Sequence, residues 1–178
     1  ITILENRSGL FQPVGSLLDV ARGSALKSIR FMGDRAFAAT FSNSSPMFVI
    51  DLSDTAAPKV TGEVRSIGFP SYIQVIDESH LLTVGRSSTP QVNGPTQVSL
   101  YDVSDPEHPI LLDRDPLPLF STSLAESEHH AFGWFAVHNT LAIPTTRSYT
   151  QPVDSNDDGI FEGTQRVVEN SLVAFKID

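Results

Sequence analysis

Two stretches of the sequence are near copies of each other, MFVIDLSDTAAP at residues 47–58 and VSLYDVSDPEHP at residues 98–109. In each stretch a short apolar run leads to an Asp, and a Ser-Asp pair and a proline follow. Asp51 and Asp102 lie 51 residues apart, and self-similarity at a period of about 20 to 50 residues is the signature of a repeat architecture. A third, degraded copy, LVAFKID, occupies residues 172–178. The sequence therefore predicts one structural unit that recurs along the chain.

A hairpin is predicted upstream of each copy. In the first unit, β-branched and aromatic residues within 28–41 form two strands around a turn, and Gly33 and Asp34 supply the turn chemistry. Matching hairpins are predicted within residues 72–84 and 132–143. Short apolar runs broken by Gly, Pro, Asn or Asp leave almost no helical periodicity, so the predicted fold class is all-β.

Each unit is completed by the strand that carries the Asp and by a strand after the proline, at residues 59–64 and 110–113. Four antiparallel strands per unit are typical of a blade of a β-propeller. The second strands are apolar at successive positions, as in residues 37–39, because neighbouring blades cover an inner strand on both faces. Asp51 and Asp102 can bond backbone amides two residues further on, and this structural role accounts for them without catalysis.

The repeat count predicts an incomplete ring. We expect three blades at residues 25–66, 67–116 and 117–178, preceded at residues 1–24 by a linker and one strand of another blade, within residues 11–19. Propellers close with about four to eight blades. The chain is therefore expected to be a partial β-propeller of about three four-stranded antiparallel blades. Either it belongs to a larger propeller with additional blades, or copies self-associate to complete one.

Four segments together resemble a known family. SIRFMGDRAF at residues 28–37, FVIDLSD at 48–54, VSLYDVSDP at 98–106 and EHHAF at 128–132 look like the secreted bacterial and archaeal proteins with a C-terminal β-propeller domain distantly related to WD-40. The resemblance runs over residues 15–178. The Asp-x-Ser-Asp-Pro segments also resemble the LVIVD-type propeller repeat. The resemblance implies an extracytoplasmic propeller, secreted or in the cell envelope, and supplies no catalytic or cofactor-binding residues.

Composition excludes several classes of function. The 178 residues carry a formal net charge of −9 with a pI near 4.9, and the 12 basic residues are scattered. Nucleic acids and anionic membranes need clustered Lys and Arg, so neither is an expected partner. No apolar run approaches the length of a membrane span. The chain has no Cys, which excludes a disulfide framework. It begins at Ile1 without a signal-like segment, so we expect an upstream portion that was removed or lies outside this sequence.

The acidic stretch DSNDDGIFEG at residues 154–163 predicts a structural calcium site. Its spacing matches the first half of an EF-hand-type loop, with oxygen ligands at positions 1, 3 and 5 and Gly159 at position 6. An ion would order the insertion of residues 149–170 that lengthens the third blade. The alternative is an exposed acidic turn without metal, and Mg²⁺ fits less well because it demands stricter octahedral geometry. The candidate ligands are Asp154, Asn156, Asp158, the Ile160 carbonyl, Glu162 and Gln165.

Histidines offer the remaining candidates for chemistry. Glu128, His129 and His130 precede a predicted strand, and neighbouring strand residues point to opposite faces. We therefore expect that His129 and His130 do not share a metal, whereas Glu128 and His130 could. Zinc would need a third and a fourth ligand that the sequence does not place nearby, so ordinary strand-edge or core histidines are the favoured interpretation. No nucleophile elbow, ordered triad or phosphate-binding glycine loop is present in the sequence.

Two function classes remain open. The low content of catalytic motifs favours a non-catalytic binding or scaffolding module whose loops hold a protein or glycan partner, with no catalytic residue assigned. The alternative is an extracellular, hydrolase-like enzyme whose site is assembled from blade loops near Glu128 and His130. Fold alone does not decide between the two classes.

Overall fold

A computed structural model of the chain describes residues 1–41, 46–65, 68–87, 94–154, 159 and 162–177. In these residues the strands form one two-stranded sheet and three four-stranded antiparallel sheets, so the predicted all-β class and the blade architecture are confirmed. The described helices are single 3-10 turns. No helix in the described ranges is long and apolar enough to cross a membrane.

The N-terminal sheet is a hairpin of β1 (Thr2–Arg7) and β2 (Leu10–Ser16). The sequence predicted one strand here, within residues 11–19, which corresponds to β2, but it missed β1. The turn between the strands places both Ser8 and Gly9 at positive φ, which is the backbone of a tight two-residue hairpin turn. The Ser8-Gly9 pair is a turn signal that sequence reasoning missed, and Ser itself seldom adopts this conformation.

The first two complete sheets, blades 1 and 2, follow the predicted strand order closely. In each sheet, strands that are consecutive in the chain are neighbours in space. The strands of blade 1 are β3 (Ala25–Met32), β4 (Arg35–Phe41), β5 (Pro46–Asp51) and β6 (Lys59–Arg65). The strands of blade 2 are β7 (Phe69–Val75), β8 (His80–Arg86), β9 (Thr96–Asp102) and β10 (Ile110–Pro116).

The repeated aspartates hold the turns after β5 and β9, as predicted. The Ser53 amide donates to Asp51 Oδ1 at 2.9 Å, and the Ser104 amide donates to Asp102 Oδ1 at 2.8 Å. Side-chain and backbone hydrogen bonds from these serines hold the pKa of each carboxyl below its usual value. Both carboxylates are therefore turn residues.

The third sheet, blade 3, differs most from its prediction. Residues 149–170 were expected to be an exposed insertion, but β13 and β14 continue as a paired ladder until Val153 lies opposite Gly163. Cross-strand bonds such as Tyr149 Oη to Glu169 Oε1 at 2.8 Å extend the ladder beyond the blade core. The strands of this sheet are β11 (Ser121–Ser123), β12 (Gly133–Phe135), β13 (Thr140–Val153) and β14 (Gly163–Lys176). The 3-10 turns are Leu124–Glu126, His129–Ala131 and Ala136–His138.

The sheets stack face to face, and each central strand contributes to two cores. On β4, Phe37 and Ala39 pack against blade 2, whereas Ala36 and Ala38 pack against the segment after β2 that contains Leu17. All four β4 residues are buried. This alternation follows from the two-residue period of a strand and confirms the prediction that the second strands are covered on both faces.

Blade 2 repeats this arrangement. Leu81 of β8 joins the core shared with blade 1, whereas Leu82 and Val84 join Leu141 and Ile143 in the core shared with blade 3. The first strands β3 and β7 lie close to each other, and the fourth strands β6 and β10 do not approach as closely. The blades therefore converge at their first strands, and we call this side the inner edge.

Two glycines receive the turn of the next blade at the opposite, outer edge. A Cβ on Gly15 of β2 would meet the carbonyl oxygen of Thr55, and a Cβ on Gly62 of β6 would meet that of Pro106. Both glycines lie at a register shift of their outer strand. The repeated Ser-Asp turn thus has a second role, since it packs into the outer strand of the preceding blade.

Candidate functional site

The inner strand of blade 3 is interrupted by an insertion. In blades 1 and 2, the pairing of the first strand with the second shifts by one residue after Leu26 and after Pro70. The equivalent position in blade 3 is Ser123, and pairing resumes only at Gly133. Over the same length of the second strand, the first strand therefore has nine residues, 124–132, in blade 3, but only three, 27–29 and 71–73, in blades 1 and 2. We call residues 124–132 the inner-edge insertion.

Glu126 anchors the start of the inner-edge insertion. Its Oε1 accepts hydrogen bonds from the Ser123 amide at 3.1 Å and from the Thr96 hydroxyl at 2.5 Å. Its Oε2 accepts one from Arg86 Nε at 2.5 Å. The first of these bonds belongs to a capping box, in which the Ser123 hydroxyl also caps the 3-10 turn. Only 12% of the Glu126 side chain and 32% of the Arg86 side chain are exposed, so the insertion is tied to blade 2 by a partly buried charge pair.

Arg86 extends this network to both blades. Its Nη1 donates to the carbonyl of Gly94 in blade 2 at 3.2 Å and to that of Ser121 in blade 3 at 3.3 Å. Sequence reasoning missed Arg86, Thr96 and Glu126. The Ser-x-x-Glu capping signal at residues 123–126 could have located Glu126, but its charged partner comes from another blade.

Apolar packing fixes the two flanks of the insertion. Ala125 and Phe132 are buried in the core between blades 2 and 3. The Phe132 ring lies 4.8 Å from the Tyr72 ring between centroids, at a tilt of 46°. Aromatic pairs at this distance and tilt stabilise a core beyond their buried area. The middle of the insertion is therefore held between two rigid attachments.

Glu128, His129 and His130 occupy this exposed middle part. The prediction that His129 and His130 point to opposite faces was wrong, because they lie in a 3-10 turn and their ring centroids are 4.0 Å apart. Glu128 Oε1 accepts from the His130 amide at 3.1 Å and lies 2.8 Å from His130 Nδ1. The hydrogen bond from the His130 backbone amide, together with the contact to the His130 ring, holds the pKa of the Glu128 carboxyl below its usual value.

Three of the six predicted calcium ligands, Asp154, Glu162 and Gln165, are described, and they lie toward the far end of the β13–β14 hairpin. Asp154 Oδ2 accepts from the Gly159 amide at 2.7 Å, and Gly159 has a φ of 81°. The Glu162 amide donates to the Val153 carbonyl at 2.9 Å, which brings Glu162 beside the start of the loop. Gln165 lies within β14, opposite Gln151 of β13. The other three predicted ligands, Asn156, Asp158 and Ile160, lie outside the described residues.

Comparison with known proteins gives one family and two relatives. A family model described as Beta propeller domain matches residues 1–178. An uncharacterized protein of Methanocaldococcus jannaschii is 30% identical over 144 residues, which cover 80% of this chain and 22% of that protein. An uncharacterized protein of Archaeoglobus fulgidus is 35% identical over 131 residues, which cover 74% of this chain and 20% of that protein. The chain thus spans about a fifth of the length of these curated relatives. No solved structure matches the chain.

Proposed function

The chain belongs to the beta propeller domain family, and from this premise we propose that it is a non-catalytic binding or scaffolding module, which holds a protein or glycan partner at the inner edge of blade 3. We further propose that the protein acts outside the cytoplasm, secreted or in the cell envelope. This location rests on the resemblance of its repeats to those of secreted propeller proteins. Further blades, or a second copy of the chain, complete the ring.

The inner-edge insertion is the observation that carries the binding function. It adds irregular backbone at a position where the other blades have a bulge, and such positions are where sheets re-aim side chains toward ligands. Its flanks are fixed by Glu126 and Phe132, while Leu124, His129 and His130 are exposed. Exposed side chains on a loop positioned by a rigid scaffold are the usual arrangement of a binding site.

The state of Glu128 favours binding over hydrolysis. Its carboxylate accepts a hydrogen bond from the His130 amide at 3.1 Å and contacts His130 Nδ1 at 2.8 Å, so it acts as an acceptor and is poorly suited to donate a proton to a leaving group. The contact of 2.8 Å between Glu128 Oε1 and His130 Nδ1 nevertheless supports the second candidate function. A carboxylate that orients an imidazole is the pairing used in general-base catalysis, so a hydrolase-like activity is the alternative to test.

Binding can be tested with arrays of immobilised glycans and peptides, probed with the purified chain and with Leu124→Ser. Leu124 is 64% exposed in the inner-edge insertion. The matched control is Leu112→Ser, because Leu112 is 46% exposed on the outer strand β10. We expect some of these ligands to bind both the wild type and the control but not Leu124→Ser. Equal binding by all three proteins would contradict an inner-edge site. Turnover of ester or glycoside substrates that Glu128→Gln abolishes would support the enzyme instead.

We also propose that the loop at the end of the β13–β14 hairpin binds one calcium ion in a structural role. The positive φ of Gly159 and the contact of Asp154 with its amide support a sharp turn of the kind that calcium loops need. The proposed ligands are Asp154, Asn156, Asp158, the Ile160 carbonyl, Glu162 and Gln165.

Thermal unfolding with calcium and with excess chelator tests this site. An ion that binds only the folded chain, at about 100 times its Kd, adds about 2.7 kcal/mol. For a domain of this size we expect a rise in Tm of about 5 to 10 °C. Asp154→Ala should abolish the rise. If calcium leaves the wild-type Tm unchanged, the stretch is an acidic turn without metal.

A further inference from the structure

One group of potential metal ligands is present among the residues that the structure describes. Glu128, His129 and His130 each offer one ligand atom, and these atoms lie within 4.8 Å of one another. Glu128 Oε1 is 2.8 Å from Nδ1 of His130 and 3.7 Å from Nδ1 of His129. Two imidazoles and one carboxylate therefore meet at one point of the inner-edge insertion.

The distances fit a tetrahedral metal ion. Zinc binds imidazole nitrogen and carboxylate oxygen at about 2.0 to 2.2 Å, so two ligands of a tetrahedral ion are about 3.4 Å apart. The separations of 2.8 and 3.7 Å lie on either side of this value, and all three ligand atoms lie within 4.8 Å of one another, so small side-chain rotations are needed to reach it. The side chains of Glu128, His129 and His130 are 55%, 65% and 81% exposed, so solvent leaves room on their outer side for small rotations toward a common ion.

The donor types select the class of ion. Imidazole suits zinc, copper and nickel, whereas calcium and magnesium are bound by oxygen ligands. Three protein ligands leave a fourth position open, as in metal sites that bind water or an exogenous group. This site is therefore chemically distinct from the all-oxygen loop that begins at Asp154.

Among the described residues, the other carboxylate–histidine contacts lack the second imidazole. Nδ1 of His80 lies 2.9 Å from Asp77 Oδ2, and Nδ1 of His108 lies 3.0 Å from Asp105 Oδ2. In both pairs the carboxylate also accepts backbone amides of its turn. A single carboxylate–imidazole contact is thus an ordinary feature of these turns. The convergence of two imidazoles on one carboxylate is the feature specific to the inner-edge insertion.

We propose that Glu128, His129 and His130 bind one zinc ion, or a similar divalent transition-metal ion, at the inner edge of blade 3. Glu126 and Phe132 position the site by fixing the two flanks of the insertion. The proposal stands apart from the proposed binding function, because it depends only on the geometry and chemistry of three neighbouring side chains.

Zinc titration of the 178-residue chain tests the proposal. The buffer contains calcium in excess, so that the acidic loop does not contribute. Calorimetry should give one zinc per chain for the wild type, and His129→Ala, His130→Ala and Glu128→Gln should each weaken binding by at least about tenfold. The matched control is His108→Ala, which removes an exposed histidine that contacts a single carboxylate and should leave the affinity unchanged.

Long-range ¹H–¹⁵N spectra of the imidazoles identify the ligands directly. Zinc should shift the ring signals of His129 and His130 and leave those of His108 and His138 in place. The proposal is overturned if the double variant His129→Ala/His130→Ala binds zinc as the wild type does. It is equally overturned if the wild type shows no saturable one-to-one binding. Unchanged unfolding curves of the variants establish that the loss of binding is local.

Discussion

The charge pair between Arg86 and Glu126 gives the sharpest prediction for stability. Glu126→Gln keeps the side-chain shape and an oxygen for the Ser123 amide and the Thr96 hydroxyl, but it removes the negative charge beside Arg86. Breaking a buried ion pair by removing one partner costs about 3 to 5 kcal/mol. The Arg86 side chain is 32% exposed and keeps two carbonyl acceptors, which reduces the cost. We expect a loss of about 2 to 3 kcal/mol, close to the range for a hydrogen bond to a charged group.

Urea unfolding measures this loss. With a slope of about 2 kcal/mol per molar urea, the midpoint should fall by about 1 to 1.5 M. The control is Glu107→Gln, which removes an exposed carboxylate in a turn and should change stability by less than about 0.5 kcal/mol.

Thr96→Val tests whether the network acts as a unit. The substitution removes the 2.5 Å hydrogen bond to Glu126 and should cost about 1 kcal/mol. Because both residues share one carboxylate, the double variant should lose less than the sum of the single losses.

A urea midpoint for Glu126→Gln that matches that of the Glu107→Gln control would refute the view that the Arg86–Glu126 pair joins the blades.

Three further predictions concern the turns. Gly62→Ala should lower the free energy of unfolding in urea by about 1 to 3 kcal/mol, because the added Cβ meets the Pro106 carbonyl. The control Gly163→Ala has open space around the added Cβ and should leave stability unchanged. Equal losses in the two variants would contradict the packing argument. Gly159→Ala should weaken calcium binding about tenfold in calorimetry, because a φ of 81° costs Ala roughly 1 to 2 kcal/mol. Gly163→Ala is again the control. An unchanged affinity of Gly159→Ala would count against the calcium loop. Hydrogen bonds from Ser104 hold the pKa of Asp102 low, so Asp102 stabilises the fold above its unfolded pKa and loses this effect as the pH falls through its folded pKa. In acid titrations, Asp102→Asn should therefore flatten the loss of stability below about pH 4. An unchanged slope would contradict this role of Asp102.

The repeated elements were accessible to sequence reasoning because local and global signals agree there. The Asp-x-Ser-Asp turns, the hairpin turn at Gly33 and the successive apolar residues of β4 all derive from short-range chemistry. The repeat at one blade length then predicted the three four-stranded sheets. The pairing of β1 with β2 was missed although Ser8-Gly9 is a turn signal, because Ser itself seldom adopts the positive φ of Ser8.

The candidate site could be predicted only in part. Glu128 and His130 were identified as a pair, but the 3-10 turn that brings His129 beside them depends on how Ser123 and Phe132 are anchored. That anchoring uses Arg86, which lies in another blade. Contacts between segments far apart in the chain leave no periodic signal in a single sequence. For the same reason, the insertion of residues 149–170 was predicted without the paired ladder that β13 and β14 form there.

The packing of Gly15 and Gly62 against the following turns bears on the geometry of the whole ring. Each turn enters the outer strand of the preceding blade at a glycine, while the first strands approach each other at the inner edge. Two contacts at different radii define a wedge angle between consecutive blades. A larger side chain at either glycine would open this wedge at the rim, and a ring closes with fewer blades when its wedges are wider. At each of these two glycines, a hydrogen atom in place of a methyl group therefore helps to set the angle between consecutive sheets.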